Sequence, residues 1–155
     1  ASISRRCHAV LVLAKDGCAF NRIVKGCQPP CILTGDFNSP DRELADGTII
    51  PWRFEDEGDI ADLWVEAELN ILRGLEDEEM VDVFRDQHGY GDLDILDVSH
   101  ATQTDNPLAV PPEDVEGKRF DHMIASTELD PEACWYDQNG FKCSDHAPLV
   151  ASFNA

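Results

Sequence analysis

Three short polar clusters stand at the ends of otherwise apolar stretches: Gly35-Asp36-Phe37-Asn38, Arg119-Phe120-Asp121-His122 and Ser144-Asp145-His146-Ala147-Pro148. Carboxylates, an amide and imidazoles are the groups that acid–base and metal-assisted hydrolysis use. Strand ends that open onto loops are where a rigid scaffold presents such groups. Taken singly, each cluster also has a bland reading. An Asp after a Gly is a common turn former, and His146 alone could be an ordinary hydrogen-bonded histidine.

The elements that must position these clusters are short. Cys7–Ala14 is an apolar run of strand length, and Cys31-Ile-Leu-Thr34 is a buried strand leading into Asp36. Alternation from there aims Asp36 and Asn38 one way and Phe37 back toward the core. Ser39-Pro40-Asp41 is turn chemistry able to start a short helix. Ile60, Leu63, Trp64, Ala67 and Ile71 predict an amphipathic helix from Asp59 to near Gly74. A second helix is expected over Glu78–Gln87, burying Met80, Val81, Val83 and Phe84, with Gly89 as its C-terminal cap. Residues 91–118 read as a long polar loop. Arg119–Ser126 reads as a strand with Asp121, Met123 and Ala125 on one face and Phe120, His122 and Ile124 on the other. Asn139-Gly140 predicts a two-residue hairpin, and His146–Phe153 a last strand.

Composition frames the partners. The chain has 155 residues, a formal charge of −19 and 43% hydrophobic residues, enough apolar material for one packed domain or one large piece of one. The surplus acidity lies in residues 39–116, with 23 Asp/Glu and four Arg; the flanks are balanced. An acidic surface aimed at cationic partners and adaptation to high salt both fit; four Lys against eight Arg, and Asp above Glu, favour the halophilic reading. Nothing basic invites a polyanion. The longest apolar run, Ala9–Ala14, is far short of the ~20 residues of a membrane span. A cytoplasmic protein without membrane contact is expected. The six cysteines, at 7, 18, 27, 31, 134 and 143, then read as buried reduced thiols, with Cys27 and Cys31 as half of a metal site the alternative.

The order of the clusters carries more than any one of them. Leu33-Thr-Gly-Asp-Phe-Asn-Ser39, Arg119-Phe-Asp-His-Met-Ile-Ala-Ser126 and Cys143-Ser-Asp-His-Ala-Pro-Leu-Val150 together resemble the endonuclease/exonuclease/phosphatase superfamily, whose fold is called deoxyribonuclease-I-like. The match covers roughly residues 31–153 and corresponds to the family's second half. The resemblance implies an α+β fold, half of a four-layer α/β/β/α sandwich with a mainly antiparallel sheet and helices packed outside. Residues 1–30 form a poorly matched segment with one strand, and residues 31–155 the family's C-terminal half. It implies hydrolysis of phosphodiester or phosphomonoester bonds with Mg²⁺ or Mn²⁺, on substrates from DNA to small-molecule phosphate esters.

The resemblance also assigns roles. Asp36 matches the carboxylate that orients or deprotonates the attacking water and reaches the metal. Asn38 matches the amide that positions the water and stabilises charge on phosphorus, and His146 the histidine that contacts the scissile phosphate. Asp121 matches the carboxylate that holds this imidazole, and Asp145 an acidic metal ligand. The family's earlier metal-ligating Glu and Asn have no counterpart before Gly35, where there is no Glu and the one Asn is Asn21. Three readings stay open: a piece of a longer hydrolase, a half completed by a second chain or by itself as a homodimer, and a non-catalytic module that binds a partner or metal only.

Overall fold

Alternating burial over the first four residues of two six-residue strands builds the centre of the molecule. The computed structural model describes residues 8–11, 26, 29–51, 65, 69, 72–90, 97–101 and 117–154. Strand β2 (Cys31–Asp36) buries Cys31 and Leu33, and β8 (Asp121–Ser126) buries His122 and Ile124. The two pair antiparallel, with Leu33 opposite Ile124 and Asp36 opposite Asp121. β1 (His8–Leu11) lies parallel to β2, and β5 (Met80–Asp82) antiparallel to β8, so the sheet order is β1-β2-β8-β5.

Both faces of this sheet are covered. Cys31, Leu33 and Ile124 pack with Phe37, Leu72, Leu75 and Met80. On the other side Ile32, Met123 and Ala125 meet Val83, Phe84, Cys134, Tyr136 and Phe141. Val83 and Phe84 come from α1 (Val83–His88), Cys134 and Tyr136 from β9 (Pro131–Tyr136), which pairs antiparallel with β10 (Leu149–Phe153), and Phe141 from the 3-10 turn between those two strands. Two smaller pairs complete the described strands: β3 (Arg42–Glu43) with β4 (Ile49–Ile50), and β6 (His100–Ala101) with β7 (Gly117–Lys118). Helices with mostly antiparallel pairing make the fold α+β.

Several local expectations differ. Met80 and Val81 are strand, because pairing with Ala125 and Ser126 of β8 outweighs their helical spacing. The helix starts only after Asp82, whose carboxylate accepts from the N–H groups of Phe84 and Arg85 as an N-cap. Gly89 does close it, at φ +69°, with its N–H bonded to the Arg85 carbonyl. Asn139-Gly140 makes no hairpin. Asp137 caps a 3-10 helix (Gln138–Lys142), accepting from the backbone and side-chain amides of Asn139. Ser39-Pro40-Asp41 leads into the β3–β4 pair rather than a helix. Part of the long loop is strand, since Ala101 pairs with Gly117. Cys143 is exposed, whereas Cys31 and Cys134 are buried free thiols. Burial, with Asp82 nearby, pushes the Cys134 thiol up to about 12. Ile60, Leu63, Trp64, Ala67, Ile71 and Cys27 lie outside the described residues. No helix among the described residues is long and apolar enough to cross a membrane.

Beneath the open end of the sheet lies a buried ion network. Arg119 donates through Nε to Glu43 Oε1 (2.8 Å) and through Nη1 and Nη2 to Asp82 (3.2 and 2.7 Å). Arg85 Nε donates to the other Glu43 oxygen (2.7 Å). Burial alone would raise the Asp82 pKa, but the Arg119 and His122 charges outweigh it and hold the carboxyl well below its ordinary range.

Candidate active site

β2 and β8 end together, and the register that sets Asp36 opposite Asp121 places both side chains on one face. His146 reaches them from the segment before β10. Its Nδ1 lies 2.7 Å from Asp121 Oδ2 and its Nε2 4.0 Å from Asp36 Oδ2. A carboxylate only accepts, so Nδ1 carries the hydrogen and Nε2 faces Asp36. Partial burial works against the imidazolium. The Asp121 hydrogen bond and the charges of Asp121, Asp36 and Asp145 outweigh that, so the His146 pKa lies above its ordinary 6.5.

Asn38 joins them by a turn and not by extended alternation. Its φ is +51°, a left-handed conformation that Asn tolerates better than most residues. Its N–H donates to Asp36 Oδ1 (2.8 Å) and its Nδ2 to Oδ2 (3.2 Å), while Phe37 is buried. Asp145 is exposed, and its Oδ2 lies 3.7 Å from His100 Nε2. The five residues singled out in the sequence therefore stand at one end of the sheet.

Five further residues, Ser99, His100, Ala101, Tyr136 and Gly140, frame the site, and the sequence marked none of them as part of it. The Ser99 hydroxyl, fully buried, accepts from the backbone N–H of Phe120 (2.7 Å) and Asp121 (2.8 Å). The Ser99 carbonyl accepts from Ala147 N–H (2.7 Å), and Ala101 N–H donates to the Asp145 carbonyl (3.1 Å). His100 faces His146 across an isolated antiparallel bridge, with their rings 4.8 Å apart. Residues 98–101 are thus a strut between β8 and the Asp145-His146 segment. The Tyr136 hydroxyl donates to the Asp121 carbonyl (2.6 Å). Gly140 lies so close beneath this segment that a Cβ there would stand 2.2 Å from Pro148 Cδ and 3.1 Å from the His146 carbonyl oxygen. Ser-His in a polar stretch carries no periodicity; only its distant partners reveal it.

The donor set suits a divalent cation. Asp36 and Asp145 offer hard carboxylate oxygens. Ligand atoms of His100, Asp145 and His146 all lie within 4.8 Å of one another. Burial and the neighbouring His146 push the His100 pKa below 6.5, which favours the neutral, ligating imidazole.

No protein-family model matches the sequence, and no curated protein matches it. Solved structures do. The chain is similar to the 3'-5' exonuclease NExo from Neisseria meningitidis, at 19% identity and a TM-score of 0.61. It is equally similar to a variant of the 3' phosphatase NExo from Neisseria bound to product DNA hairpin, at 17% identity and the same TM-score. Each alignment covers 95% of this chain and 61% of the other, so the chain spans less than two thirds of these neighbours' length. At such identity the likeness is one of fold: this chain folds as the matched portion of a nuclease and phosphatase does.

Proposed function

We propose that the chain carries the phosphate-facing end of a divalent-metal-dependent phosphoric ester hydrolase, within half of a four-layer α/β/β/α sandwich. The observation that carries this reading is the convergence of Asp121, His146, Asp36 and Asn38, with the Asp121–His146 contact at 2.7 Å. Asp36 orients and deprotonates the attacking water. Asn38 and the His146 Nε2–H donate to the phosphoryl oxygens as negative charge builds, and Asp121 keeps the imidazole turned and protonated. Mg²⁺ or Mn²⁺, held by Asp145 and Asp36, would supply charge neutralisation at the phosphoryl group.

The neighbours and the charge support a terminal phosphate as the substrate class. A formal charge of −19 opposes tracking along a polyanion. A terminal phosphoryl group, such as a 3' phosphate on a DNA hairpin, asks for few backbone contacts. The test is release of phosphate from a 3'-phosphorylated hairpin, beside hydrolysis of bis-p-nitrophenyl phosphate, with Mg²⁺ or Mn²⁺ and with EDTA. Turnover should vanish with EDTA and fall by ~10²–10³ in His146→Ala, the usual loss for one such donor. Metal-independent turnover, or full activity in His146→Ala, sinks the mechanism. No turnover on either substrate favours a non-catalytic module.

A further inference from the structure

Asn38 and Asp121 are each flanked by residues tied to one another. Phe37 N–H donates to the Phe120 carbonyl (2.8 Å), and the Ser39 carbonyl lies 2.7 Å from His122 Nε2. Phe37 and Ser39 bracket Asn38; Phe120 and His122 bracket Asp121. The first tie is backbone to backbone. The second depends on one side chain.

That side chain sits between two acceptors. His122 is 0% exposed. Its Nε2 meets a backbone carbonyl, and its Nδ1 lies 3.3 Å from Asp82 Oδ2, which the Arg119 guanidinium also engages (2.7 Å). Neither partner can donate, because a carbonyl never does and Asp82 is held ionised by its surroundings. Each ring nitrogen therefore faces an acceptor. The ring is further packed against Phe37, at 5.6 Å between centroids. Asp82 is in turn fixed as the cap of α1 and as a partner of Arg119. The chain of contacts runs from α1 and Arg119 through Asp82 and His122 to the carbonyl next to Asn38.

We propose that His122 is a positioning residue, whose doubly hydrogenated imidazole clamps the Ser39 carbonyl to Asp82 and so fixes the Asn38 amide against the Asp121–His146 pair. Its catalytic part rests on the hydrolase reading above; its structural part does not. Asn38 adopts a positive φ held within its turn by two bonds to Asp36, and the His122 contact at the next carbonyl adds a hold from the facing strand. Losing that hold lets the amide wander by the fraction of an ångström that matters for transition-state contacts.

Three measurements test the clamp. In the wild-type chain, ¹⁵N NMR of the His122 ring, assigned by its absence in His122→Gln, should show two directly bonded N–H groups; one bare nitrogen overturns the proposal. In His122→Gln and His122→Leu, amide hydrogen exchange at Asn38 and Ser39 should quicken at least tenfold relative to β8 amides, with Gln the milder; unchanged exchange overturns it. With turnover established, His122→Leu should lower kcat at least tenfold with KM within about twofold. Asn38→Ala should then add little in the His122→Leu background, since both act through one amide. Independent, multiplying losses overturn the positioning role. Should the His122 variants fail to fold, the ring is assigned instead through its proximity to the Phe37 ring, and the wild-type NMR result still decides. Should the wild type show no turnover, the hydrolase reading fails while exchange and NMR still judge the clamp.

Discussion

Arg119 is the cation on which the buried network turns, and replacing it by Met separates charge from packing. Its side chain is 1% exposed, as is Glu43, and Asp82 is 6% exposed. Arg119→Met keeps an apolar stem but deletes the bond to Glu43 and both bonds to Asp82. Glu43 keeps Arg85; Asp82 keeps His122 at 3.3 Å and the two helix N–H groups. Removing one partner of a buried pair costs ~3–5 kcal/mol, most of it the desolvated charge left behind. With an unfolding entropy of about 2.1 cal/mol/K per residue over 155 residues, that lowers the melting temperature by about 9–15 °C. The pH dependence gives a second reading. The Asp82 pKa is depressed in the native wild type, so its stabilisation is present above the ordinary 3.8 and fades as pH falls through the native value. In the variant, burial acts against a carboxylate that has lost its guanidinium, and its pKa moves up. The stability gap between the two proteins should therefore narrow from pH 7 toward pH 4. Thermal melts at four or five pH values measure both. A shift below about 3 °C at pH 7, or a gap that does not close in acid, would refute the account of Asp82 as a charge kept ionised by Arg119.

Three other outcomes are expected. The His146 pKa is raised, so activity that needs its cation should persist above pH 6.5 and fall as pH rises through the native value; Asp121→Asn should move that falling limb toward lower pH, and an unmoved limb would contradict the pairing. Gly140→Ala forces a methyl against Pro148 Cδ, which should cost ~1–3 kcal/mol and lower kcat by displacing His146; an unchanged melting temperature would contradict the close approach. Raising salt from 0.1 to 1 M cuts the screening length from ~10 Å to ~3 Å, so kcat/KM on the DNA hairpin should rise or hold while that on bis-p-nitrophenyl phosphate stays level. A steep fall on the hairpin would indicate a cationic nucleic-acid interface instead.

What could be read in the chain was local, and what could not was a matter of distant partners. Alternation over Arg119–Ser126 and the short apolar lead into Asp36 were enough to put Asp36 and Asp121 at strand ends, because period-two burial is written in neighbouring residues. Gly89 was legible for the same reason. Met80-Val81 was not: its strand state exists only through Ser126 and Ala125, more than forty residues away. Asn139-Gly140 carried a hairpin signal that lost to Asp137, one strong acceptor two residues upstream, and to Pro148, which occupies the space beside Gly140. Ser99 and His100 looked like loop residues because a two-residue strand has no period to detect.

The acidic middle segment makes the same point in electrostatic form. Counted along the sequence, residues 39–116 are a block of like charge, and a block of like charge reads as a solvated face. Two of its acids, Glu43 and Asp82, are instead buried and paired, to Arg85 from the same segment and to Arg119 from outside it. Arg119 stands two residues from Asp121, and Asp82 holds the imidazole that reaches the Ser39 carbonyl. Part of the charge that looks like surface adaptation is therefore the foundation of the candidate site. A buried carboxylate pair without its two guanidinium partners would not stay ionised, and the strand end that presents Asp121 would lose the frame that orients it.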